Sequence, residues 1–61
     1  MNKSRRGRIA HALQILQEVL DEEQDSFDNM PEGLQQSERG TASEDAISSL
    51  ESAIQSLEEI G

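Results

Sequence analysis

The sequence contains no cysteine, tryptophan or tyrosine, and only one phenylalanine, one proline and one histidine. Without cysteine it can form neither a disulfide nor a cysteine-based zinc site. His11 alone is too little for a histidine metal cluster, and it gives the many serines no arrangement that would activate one as a nucleophile. No acid and base are paired by spacing either, so an enzyme is not expected, nor is a metal or cofactor. No stretch approaches the roughly 20 apolar residues of a membrane span. The basic first residues are not followed by the uninterrupted apolar run of a secretory leader. These features set the expectation of a soluble, cytoplasmic protein with no membrane partner.

What is present is organised in two apolar stripes. Ile9, Leu13, Leu16, Leu20, Phe27 and Met30 recur at alternating steps of four and three, with one polar gap at Glu23. Ile47, Leu50, Ile54 and Leu57 repeat the pattern. This spacing is a heptad seam along one face of each of two helices. It predicts a first helix over 8–27 and a second over 42–60, with no competing strand pattern. Ala12, Ile15 and Val19 lie beside the first seam and widen the apolar face to about 160°. Ala46, Ala53 and Ile60, seven residues apart, flank the second. Twenty of the 61 residues are hydrophobic, but five of those are alanine. A lone hairpin with so few large apolar side chains is marginal. The expected architecture is therefore an all-α helical hairpin in one domain that dimerises into an antiparallel four-helix bundle. Its seam and dimer surface are formed by Ile9, Leu13, Ile15, Leu16, Val19, Leu20, Phe27, Ile47, Leu50, Ile54 and Leu57.

Residues 28–40 read as the connection. Asp28, Asn29, Met30, Pro31, Glu32 and Gly33 are dense in turn formers. Pro31 disfavours helix at Met30, Gly33 permits a left-handed turn, and Leu34 is expected to fold back over the end of the bundle. Thr41 and Glu44 fit a capping box that starts the second helix, although a helix beginning at Ser37 could run through Gly40. At the other end, residues 1–6 read as a frayed basic arm, with Ser4 a candidate cap.

Charge is unevenly placed. Lys3, Arg5, Arg6 and Arg8 open the chain, and from Ile9 onward thirteen carboxylates face Arg39 alone; the local balance of −12 and the four cations before it give the net −8. Such a body repels nucleic acid and seeks basic partners. Glu18, Asp21, Asp25 and Asp28 share one polar face of the first helix, three to four residues apart. With Arg39, they are the candidate partner-binding residues, directed at a protein with a basic surface. Like charges at this spacing cost a few tenths of a kcal/mol per pair and crowd a helix end that prefers cations. A second reading makes Lys3, Arg5, Arg6 and Arg8 a nucleic-acid arm reaching phosphates, but four cations without aromatics on an acidic body make nucleic acid an unfavourable partner. A third reading is a structural coiled-coil adaptor. Asp21, Glu23, Asp25 and Glu32 overlay the acidic positions of a calcium loop. Ser26 stands where that loop needs glycine, and the apolar period continues through the segment as helix. Glu23, on the seam itself, is a candidate for a partly buried residue that fixes bundle register.

From Phe27 to Ile60 the chain resembles a family of very short acidic proteins common in phage and prophage genomes, which show an FDN-[ML]-PE-x-LQ-x-SERG core between two helices. Phe27, Asp28, Asn29, Met30, Pro31, Glu32, Leu34, Gln35, Ser37, Glu38, Arg39 and Gly40 carry the resemblance. It implies a phage origin. Small acidic helical phage proteins are often inhibitors of bacterial defence systems, anti-CRISPR proteins among them, so the resemblance implies a binding role against a host protein.

Overall fold

In the computed structural model, which describes residues 2–60, the chain forms three helices: α1 over Lys3–Asp28, α2 over Glu32–Gln35 and α3 over Glu38–Glu58. There is no strand among the described residues. Glu23, near the end of α1, reaches Ser43, near the start of α3. At the other end, Arg6, Ile9 and Leu13 line a groove with Leu57, Glu58 and Ile60. The two long helices therefore run antiparallel, and the molecule is a rod of 48 × 15 × 11 Å. The hairpin read from the two stripes is the observed fold.

The seam between α1 and α3 follows the stripes residue by residue. Ile47 and Ile54 are buried on α3, each 8% exposed. Ile9, Leu13, Leu16, Leu20, Phe27, Met30, Leu50 and Leu57 are half-buried around them. Glu23 is half-buried too, in register with its apolar neighbours. Ile15 and Val19 are not part of this seam: they are 47% and 41% exposed. At about 100° per residue they fall well round the helix from Leu16, and α3 covers only one side of so wide a face.

The helix ends differ from the expected ones for local reasons. α1 begins at Lys3, not at residue 8, because Asn2 rather than Ser4 is the cap: its side-chain oxygen accepts the Arg5 backbone N–H at 2.8 Å. Residues 3–6 are thus the first turn of a helix instead of an arm. α1 ends one residue later than expected, at Asp28, just before the segment in which Pro31 cannot continue the backbone ladder.

α3 begins at Glu38, not at residue 42, so Thr41 lies inside the helix with its N–H on the Ser37 carbonyl at 3.0 Å. Ser37 takes the cap position, but its hydroxyl turns backward and donates to the Leu34 carbonyl at 2.5 Å. The connection is not an open loop: α2 forms one turn on the Pro31 carbonyl, which accepts from Leu34 and Gln35. Gly33 sits in that turn without a positive φ. Leu34 does not cover the bundle end; it is 42% exposed.

Gly40 explains how α3 can start so early. It is buried, and a Cβ there would overlap the backbone carbonyls of Leu34 and Gln35. Only glycine lets α3 pass this close to the preceding turn. Gln35 then ties the corner to α1, its side-chain amide donating to the Phe27 carbonyl at 3.1 Å. The Phe27 carbonyl, which also accepts the Met30 backbone N–H at 3.1 Å, thus takes a second bond from the corner.

Candidate functional site

The four carboxylates singled out from the sequence are brought onto one surface. Glu18, Asp21, Asp25 and Asp28 all belong to α1 and are all exposed. At about 100° per residue they fall within a sector of roughly 80°, on the side turned away from the seam. Ten residues at about 1.5 Å each spread them over roughly 15 Å of helix. No lysine or arginine occurs between Ile9 and Glu38 to neutralise them. Asp28 accepts from the Gln24 side-chain amide at 3.1 Å, which orients the last of the four. The macrodipole disfavours Asp25 and Asp28, which lie in the last turn of α1, and no basic residue is there to offset them.

Arg39 stands apart. It belongs to the first turns of α3, exposed, instead of to the connection. Lys3, Arg5, Arg6 and Arg8 are exposed on the first turns of α1, but Lys3 and Arg8 point about 140° apart around the helix. They do not form a stripe that could track a phosphate backbone, and Arg6 lines the groove that also holds Glu58. The calcium-loop overlay fails because Asp21, Glu23 and Asp25 lie in one continuous helix. Among the described residues no group of acidic or histidine side chains could hold a metal ion, and no helix is long and apolar enough to cross a membrane.

The residue whose role needed the structure is Glu23. Its Oε1 accepts the Ser43 hydroxyl at 2.5 Å, and Ser43 is only 6% exposed. The described residues contain no buried side-chain polar atom left without a partner. Ser43 stands on the α3 seam four residues before Ile47. That position, together with the polar gap at Glu23, was the available signal. Comparison of the chain with protein-family models, with curated proteins and with solved structures gave no match.

Proposed function

We propose that this chain is a non-enzymatic binding protein whose acidic α1 face meets a basic surface on another protein. The observation that carries this reading is the set Glu18, Asp21, Asp25 and Asp28: four exposed carboxylates on one helix face, unrelieved by any cation and placed where they cost helix stability. Their spacing matches what a basic groove, or a site built for successive phosphates, would accept. The resemblance of residues 27–60 to small phage proteins supports a host protein as the partner, and inhibition of a defence or nucleic-acid-handling factor as the outcome. Cytoplasmic residence follows from that proposal.

The test is capture from bacterial lysate with the intact chain and with a variant carrying Asp21→Lys and Asp25→Lys. The intact chain should retain a basic protein, with affinity falling as salt rises. The variant should bind that protein about ten-fold or more weakly and with less dependence on salt. Equal capture by both, with equal salt dependence, rejects the reading.

A further inference from the structure

The two long helices leave one side of the hairpin apolar. Seven-residue spacing places Ala12 and Val19 immediately before Leu13 and Leu20 on α1, and Ala46 and Ala53 immediately before Ile47 and Ile54 on α3. The two-fold axis relating antiparallel helices runs perpendicular to the plane of the pair. Equivalent flanks of the two helices therefore emerge on the same side. Ile15 extends that side on α1. Ile15 and Val19 are 47% and 41% exposed, two of the four large apolar side chains left open among the described residues; of the other two, Leu34 is in α2 and Ile60 lies beyond α3 in the groove with Arg6 and Glu58. The opposite flank is polar, with Gln17 and Gln24 on α1 and Glu44, Glu51 and Glu58 on α3.

Charge follows the same division. Of thirteen carboxylates only Glu22 edges the apolar side, while Arg5, Arg8 and Arg39 border it. Two such sides can meet without opposing rows of carboxylates, which on a −8 chain favours this pairing. Area points to the same occupant. A folded chain of 6.8 kDa exposes about 3,950 Å² by the usual size scaling, whereas this one exposes 4652 Å². The excess, roughly 700 Å², is close to the ~800 Å² that each partner contributes to a standard interface.

We infer that this side is covered by a second copy of the chain, α1 of each copy lying over α3 of the other. The sizes of the side chains favour that seating. α1 offers the large Ile15 and Val19, and α3 offers the small Ala46 and Ala53, so large meets small across the interface. Every neighbouring pair in the resulting four-helix bundle is antiparallel. Within one chain Glu23 stands level with Ser43, which puts Val19 within about 1.5 Å of the level of Ala46. A two-fold axis along the bundle keeps that level, so Val19 meets Ala46 of the second copy. Glu18, Asp21 and Asp25 remain on the outer surface, so this inference stands independently of the acidic-face reading.

The test is sedimentation of the full chain at micromolar concentration. The intact chain should sediment as two copies. Ile15→Glu with Val19→Glu should weaken association about a hundred-fold or more, whereas Gln17→Glu with Gln24→Glu on the opposite flank should leave it unchanged. Because the first variant can also lose its fold, a cysteine pair gives a readout in folded protein. Mixed V19C and A46C chains should oxidise to the V19C–A46C disulfide in preference to either like pair. A single, cooperatively melting chain at micromolar concentration overturns the inference. Preferential like pairing of the cysteines overturns it as well.

Discussion

Three glycines in α1, α2 and α3 show how much a residue's meaning depends on its surroundings. Nothing lies within 4 Å of a Cβ built at Gly7 or Gly33, whereas at Gly40 it collides with two carbonyls. Gly7→Ala should therefore stabilise the fold by about 0.5–1 kcal/mol through helix propensity. Gly40→Ala should destabilise it by about 1–3 kcal/mol, because backbone and not a yielding side chain must move. Urea melts at one fixed chain concentration compare the two. Glu23 and Ser43 offer a second prediction at this scale. Ser43→Ala leaves a half-buried carboxylate without its donor and should cost about 1–2 kcal/mol. Replacing both residues by alanine should cost less than the sum of the single changes, with a coupling of at least about 0.5 kcal/mol. A coupling near zero would show that the hydrogen bond contributes nothing to holding the register.

At the scale of the element, the informative boundary is the start of α3. Thr41 and Glu44 have the spacing of a capping box, yet Thr41 is an interior helical residue and Ser37 stands at the cap. Thr41→Ala is accordingly expected to be neutral, or to stabilise by a few tenths of a kcal/mol, since alanine is the better helix former. Were Thr41 the cap, the same change would cost about 1 kcal/mol. Thermal melts followed by circular dichroism separate these outcomes. The local pattern was ambiguous here because both starts satisfy it. The choice between them rests on the approach of Gly40 to the α2 turn, a contact between residues that belong to different elements.

At the scale of the molecule, the acidic face sets binding against stability. Asp25 lies in the last turn of α1, where the macrodipole favours a cation. Asp21→Lys with Asp25→Lys should therefore raise the melting temperature at low salt, by an amount that shrinks as salt is added. The same variant should lose its protein partner. A chain that melts later and binds less would mean that these carboxylates are kept at the expense of the fold. If the variant melts earlier, the carboxylates have stabilising neighbours that the dipole argument omits.

Much of this architecture is determined by the sequence alone. Apolar residues at steps of three and four dictate two helices and the faces they must bury. Pro31 dictates that the first helix stops, and the absence of cations between Ile9 and Glu38 dictates that Glu18, Asp21, Asp25 and Asp28 form an unrelieved row. These are legible because helical periodicity is a property of neighbours in sequence. Tertiary structure decided what depends on distant residues: that Glu23 on the seam is satisfied by Ser43, twenty positions away, and that Gly40 admits an early start to α3. It also decided that α3 covers the seam but not Ile15 and Val19, whose exposure is a property of the packed pair. The physical reason is common to all three. A hydrogen-bond partner, a steric clearance and a buried area are each fixed only when two helices are docked, and a one-dimensional pattern carries no coordinate for that docking.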